Sequence, residues 1–157
     1  MFIHCSLVLG FPAMLEGLEY VKRFRHFKGD SSKRPQRPRA SAKRILKRIY
    51  GDQTEKLLQN IQEIHRDARS MILNDVYGKV FARPGLTLKE RELINVTVLA
   101  LQGLDRQLYS HLRGSVRVGL SAETIGEGLL LVQRITGRST RTARALLRVV
   151  VSQRKKW

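Results

Sequence analysis

An all-helical fold is what this chain of 157 residues predicts, and three observations point to it. Apolar residues recur at spacings of three and four along most of the second half, the period of a helix with one buried side. Residues that start and stop helices stand at the ends of those stretches. Between Tyr77 and Val132 three such segments follow one another with only short turns between them.

Taken in order, residues 1–28 read as an N-terminal helix. Its apolar start, Phe2 to Met14, lacks the basic leader and the small-x-small cleavage site of a secretory signal, so it is assigned to the fold. Residues 29–40 contain GDSSKRPQRPRA, where Gly29, Pro35, Pro38 and the serines favour extended backbone, and are expected to be a basic linker. Residues 41–157 then form the main domain, a length that suits one core. Gln53 to Val80 reads as one long amphipathic helix with Leu57, Leu58, Ile61, Ile64, Ala68, Met71, Ile72 and Val76 on its buried face. His65 lies within it, without a second ligand at helical spacing, and is expected to be a surface residue.

Thr87 and Glu90 form a capping box that starts the next helix. That helix carries Leu88, Leu93, Ile94, Val96, Val98, Leu99, Ala100 and Leu101, so it is expected at the centre of the core. Asp105 is the expected N-cap of the following segment, which places Leu108, Leu112 and Val116 one turn apart before Gly119 stops it. Ser121 caps a further helix, with Glu123 in its first turn and Ile125, Leu129, Leu130 and Val132 buried. Ser139 caps the last, whose apolar side is Ala143, Leu146, Leu147 and Val150.

Several of these motifs resemble the carboxymuconolactone decarboxylase family, which shares a helical fold with the alkylhydroperoxidase D proteins. The residues that carry the likeness are YGKVFARPGL at Tyr77 to Leu86, RELI at Arg91 to Ile94, HLRGS at His111 to Ser115 and GLSAETI at Gly119 to Ile125. The resemblance implies an alkylhydroperoxidase D-like domain, assembled as a homo-oligomer, a trimer or hexamer. HCSLVLGFPAMLEGL at His4 to Leu18 is similar to the family's final helix, although here it comes first. Gly10 to Leu18 can also be laid over Gly137 to Leu146, where the second copy lacks Phe and Pro. The resemblance implies either the last helix of a preceding family domain, which the repeat favours, or a circular permutation, and the N-terminal helix is expected to fold back on its own domain or to insert into a neighbouring subunit.

The same resemblance sets the chemistry. In the peroxidase branch a C-x-x-C pair precedes the family histidine, and a thiolate attacks peroxide while a second thiol resolves it. Counting back from His111, those places hold Leu104 and Gln107, and Cys5 is the only cysteine. No dithiol cycle, intrachain disulfide or cysteine zinc site can be built, and Cys5 is expected to be a small buried hydrophobe. The decarboxylase branch implies cofactor-free loss of carbon dioxide from a small carboxylated lactone, with His111 moving the proton. Nothing in the sequence suggests a metal or a nucleotide, since no phosphate loop or dinucleotide fingerprint is present.

His111 follows Leu108 by one turn, at the edge of the core, where imidazole serves as an acid or base near neutral pH. Glu92 lies inside the apolar central helix, where a carboxylate must find a partner or change its protonation. A Glu92 and His111 pair is the expected catalytic site, or else a structural hydrogen bond between two helices. Arg113 and Arg83 are the candidates for binding substrate carboxylates, because a guanidinium fork matches two carboxylate oxygens.

The formal net charge of +17 is unevenly spread. Between Lys22 and Arg48 the only acid is Asp30, and Arg134, Arg138, Arg141, Arg144 and Arg148 recur at spacings of three and four. These arginines are read in three ways: a solvated face, a surface for nucleic-acid phosphate, or a contact for an acidic protein or membrane surface. The alternative function is accordingly a noncatalytic basic scaffold or nucleic-acid-binding subunit of a larger assembly. No apolar run approaches the roughly 18 residues that span a bilayer. A cytoplasmic location is expected, while the Arg-rich start also permits a mitochondrial presequence.

Overall fold

Helices account for most of the described residues, 1–23 and 38–154, of the computed structural model, and no strand occurs among them. The chain divides into two compact units, Met1–Thr87 and Leu88–Trp157. Most of the expected basic linker lies outside the described residues. From Pro38 onward the chain is already helical, so the last linker positions belong to a helix. None of the described helices is long and apolar enough to cross a membrane.

The first unit holds α1 (Phe2–Lys22), α2 (Pro38–Tyr50), a single 3-10 turn (Gly51–Gln53), α3 (Thr54–Ile64), α4 (Arg66–Met71) and a π-helical segment (Ile72–Phe81). Ala42, Ile45, Leu46 and Ile49 make the buried side of α2, while Lys43, Arg44, Lys47 and Arg48 stay exposed. This is the i, i+3, i+4, i+7 stripe of a surface helix, and it packs against the π-helical segment. The two are also tied by a hydrogen bond of 3.0 Å between the Tyr50 and Tyr77 hydroxyls.

The single helix expected over Gln53 to Val80 is broken at His65, whose backbone is extended at φ −159° and ψ 126°. Its ring Nδ1 accepts the Asp67 N–H at 3.2 Å and so caps α4, a role that composition alone did not signal. The break resets the register. Ile64 and Met71, assigned to the buried face, are 75% and 60% exposed. Beyond them the wider π turn aligns residues four apart, and Leu73, Tyr77 and Phe81 are buried in place of Ile72 and Val76.

α1 touches the π-helical segment through its first turns, where buried His4 meets the Phe81 ring edge-on at a centroid distance of 4.8 Å. The chain kinks at Gly10, whose φ of 81° is open to glycine at little cost. Past that kink Phe11 and Leu15 are exposed. Cys5 is half-buried rather than buried, and desolvation raises its thiol pKa, which leaves little thiolate.

The second unit consists of α5 (Leu88–Gln102), α6 (Asp105–Arg117), α7 (Ala122–Thr136) and α8 (Arg141–Ser152). α5 packs on α6 and α7, and α8 packs on the same two, closing a four-helix ring around Val96, Leu99, Leu108, Leu112, Val116, Ile125, Leu129, Leu147 and Val150. Gly128 admits the close α5–α7 approach, since a Cβ there would stand 3.0 Å from Leu93 Cδ1.

The helix ends follow the sequence with two corrections. α5 starts at Leu88, where the Thr87 box places it. α6 begins at Asp105, but the capping position is Leu104, whose carbonyl accepts the first bond of the helix from the Leu108 N–H at 2.8 Å. Asp105 instead supplies a first-turn anion for the helix macrodipole. α6 ends as expected at Gly119, φ 93°, with Leu120 N–H donating to the Ser115 carbonyl and Gly119 N–H to that of Val116. For α8 the cap position is Thr140 rather than Ser139. Ser139 Oγ still accepts the Arg141 N–H at 3.3 Å, while Thr140 donates its N–H and hydroxyl to Gln133 Oε1.

Ser121 does cap α7, its hydroxyl accepting the Thr124 N–H at 3.0 Å. Ser121→Ala is expected to lower unfolding stability by about 1 kcal/mol, measured by urea denaturation, with the urea m-value unchanged. A loss below the measurement error would mean that the cap bond adds nothing over water.

Candidate functional site

α5 presents a polar seam to its surroundings rather than the uniformly apolar face its composition suggests. Its buried residues are Arg91, Glu92, Asn95, Val96 and Leu99, whereas Leu93, Ile94, Val98 and Leu101 are half-buried. Glu92, Asn95, Val96 and Leu99 follow the i, i+3, i+4, i+7 rule, so the seam is one helical stripe whose first turn is polar.

His111 meets that seam from α6. Its Nδ1 lies 2.9 Å from Glu92 Oε2, with the carboxylate side chain fully buried and the imidazole 15% exposed. An ionised carboxylate only accepts, so the Nδ1 proton is the donor and the lone pair of neutral imidazole resides on Nε2. No hydrogen bond engages Nε2 among the described residues. The Asn95 side-chain amide stands 3.3 Å from the same Nδ1. Its oxygen suits that position better than its NH2, a 180° flip of the amide.

Two further buried atoms mark the surroundings of this pair. Glu92 Oε1 has no hydrogen-bond partner among the described residues, and neither has Ser115 Oγ, one turn along α6 from His111. Both residues are 0% exposed. Unpaired buried oxygens each cost about 1–3 kcal/mol, so the seam is kept polar against its own stability.

Glu92 and His111 are thus brought together. Asn95 and Ser115 were missed by the sequence reading, although a lone Asn one turn from Glu92 in an apolar helix was a usable signal. Arg113 is half-buried in α6, two residues beyond His111, and so about 200° around the helix from it. It does not share the imidazole's face. Arg83, also half-buried, follows the π-helical segment in the first unit. Arg134, Arg138, Arg141 and Arg148 are exposed, and Arg144 is half-buried. Among the described residues no cluster of three His, Cys, Asp or Glu side chains could hold a metal ion.

Residues 72–151, about half of the chain, match the model of the carboxymuconolactone decarboxylase family. The matched region runs from the start of the π-helical segment into α8 and includes both Glu92 and His111. The chain is 30% identical to a 4-carboxymuconolactone decarboxylase of Acinetobacter baylyi over 73 residues, which is 46% of this chain and 54% of that protein. It is 28% identical to a nitrosuccinic acid decarboxylase of Metarhizium robertsii over 88 residues, 55% of this chain and 62% of that protein. The match therefore spans between about half and three fifths of those relatives. No solved structure gives a significant match.

Proposed function

Because the chain belongs to the carboxymuconolactone decarboxylase family, we propose that it is a cofactor-free decarboxylase whose proton-transfer group is His111, held by Glu92. The observation that carries this reading is the 2.9 Å contact between a fully buried carboxylate and an imidazole whose other nitrogen is left open. A purely structural fastening is a poor account of it. A buried ion pair is often no more stable than apolar residues of the same volume, and this one also leaves Glu92 Oε1 bare.

The two named relatives suggest the substrate class. Carboxymuconolactone and nitrosuccinic acid are small polycarboxylates in which the departing carboxylate has an electron sink in reach, an unsaturated lactone or a nitro group. The bond between the carbon skeleton and that carboxylate breaks, carbon dioxide leaves, and the electron pair passes into the sink. Protonated His111 then gives its Nε2 proton to the carbon, and a solvent proton restores the ring. Glu92 holds the ring's orientation and balances its positive charge while the proton is present, the part an acid plays behind a catalytic histidine in other enzymes.

The test is turnover by the purified chain. Carbon dioxide release from 4-carboxymuconolactone or nitrosuccinic acid, above the rate in buffer, is the expected result. Absence of turnover on both, with the helical circular dichroism intact, would overturn the reading in favour of a noncatalytic relative.

A further inference from the structure

The arginines of α8 are not used by the fold. Among the described residues no ion pair engages Arg134, Arg138, Arg141, Arg144 or Arg148. Nor is there a carboxylate nearby in sequence, since Gly128 to Trp157 contains no Asp or Glu. At 100° per residue, Arg141, Arg144 and Arg148 fall within a sector of about 60° on α8, spread along about 10 Å of its axis. Ala143, Leu147 and Val150, centred about 125° around the helix from them, are buried.

This arrangement works against the helix itself. Arg141 occupies the first turn of α8, where no acid is present and the Thr140 side chain supplies no cap bond. The macrodipole there favours an anion, and the sequence supplies a cation. Arg144 Nε is buried without a partner, a further unmet donor on the same face. An external row of anions would meet the unbalanced first turn, whereas Arg144 Nε, itself buried, lies out of its reach.

We propose that Arg141, Arg144 and Arg148 form a binding surface for the phosphate backbone of double-stranded nucleic acid, read without regard to base sequence. Arginine is suited to phosphate because its fork donates two parallel hydrogen bonds. Flanking the three arginines on that face are Ala145, Ser152 and the 40%-exposed Val151, one valine in place of the row of large apolar anchors that a protein interface core or a helix lying in a bilayer presents. The apolar side of α8 is buried within the second unit and unavailable for insertion. α8 itself carries no aromatic residue, so its arginine face has no stacking platform of its own of the kind single strands use. Backbone contact with a duplex is what these features fit.

The experiment is fluorescence anisotropy of labelled duplexes of about 20 base pairs, in two unrelated sequences, titrated with the full chain across about 50 to 200 mM salt. Equal affinity for both sequences is expected. Each phosphate contact contributes about 0.9 to the slope of log affinity against log salt, so Arg141→Gln/Arg144→Gln/Arg148→Gln should reduce that slope by about 2 to 3 while decarboxylation is retained. Arg141→Gln/Arg148→Gln, which changes exposed residues only, should remove about 2 and serves if the triple variant does not fold. The charge-matched control Lys43→Gln/Arg44→Gln/Lys47→Gln on α2 should remove less than about 1. An unchanged slope in the α8 variants, or an equal loss in the control, overturns the proposal. So does tighter binding to phosphatidylserine vesicles or to a poly-glutamate peptide than to the duplex.

Discussion

His111→Ala is expected to lower kcat/KM for the carboxylated substrate by about 10²- to 10⁴-fold, the usual contribution of a positioned general acid. The imidazole sits on the edge of the second unit with its side chain 15% exposed, so removing it opens no large hole in the core. Far-ultraviolet circular dichroism should therefore stay close to that of the parent, while the thermal midpoint falls, because the buried Glu92 carboxylate loses its partner. That separation of effects makes the measurement decisive. Turnover within about twofold of the parent would remove His111 from the proton-transfer role, since even weak general acids exceed that figure. His111→Ala must also leave the fully buried Glu92 carboxylate with no partner on Oε2. Any rescue by added imidazole would confirm that the lost group acts chemically.

Glu92→Gln tests the second half of the site, and its expected signature is different. The side chain keeps its shape, but the amide can offer Nδ1 a donor as readily as an acceptor. The ring is then free to carry its proton on the wrong nitrogen, and nothing balances the imidazolium. A fall in kcat of about 10- to 10³-fold is expected, within the range that separates a disturbed orienting group from loss of the acid itself. Stability should stay level or rise, because a buried charge with one bare oxygen is replaced by a neutral group. The opposite outcome, an unchanged kcat with a lowered thermal midpoint, would make the Glu92–His111 contact a fastening between α5 and α6 and end the catalytic reading.

How far the site could be read beforehand depends on the kind of interaction involved. Glu92 was conspicuous as a carboxylate amid Leu93, Ile94, Val96 and Leu99, and His111 as a histidine one turn from a core leucine. Both signals are local, and the structure brings the two side chains together. Asn95 was passed over because the helix was counted as apolar on every side, when its most buried stripe is half polar. Arg113 was chosen because a guanidinium fork suits a carboxylate, yet two residues beyond His111 along a helix is the wrong spacing to share its face. In the first unit, the apolar pattern from Leu57 to Val76 was continuous enough to hide the break at His65. A single extended residue and a switch to π winding then moved the buried stripe onto Leu73, Tyr77 and Phe81.

By itself, the sequence determined where helices of the second unit begin and end, the family pattern they carry and the acid-free cationic stretch after Glu127. Those properties arise from caps, glycine conformations and side-chain charge, all of which act within a turn or two of the residue concerned. Only the tertiary structure decided that the buried stripe of α5 is its polar one, that Glu92 faces the imidazole of α6 and that the α8 arginines are left without carboxylates. Such outcomes depend on which helix face a neighbour covers, and that choice is made by the packing of segments distant in the chain, where burying a polar atom costs more than any local preference can repay.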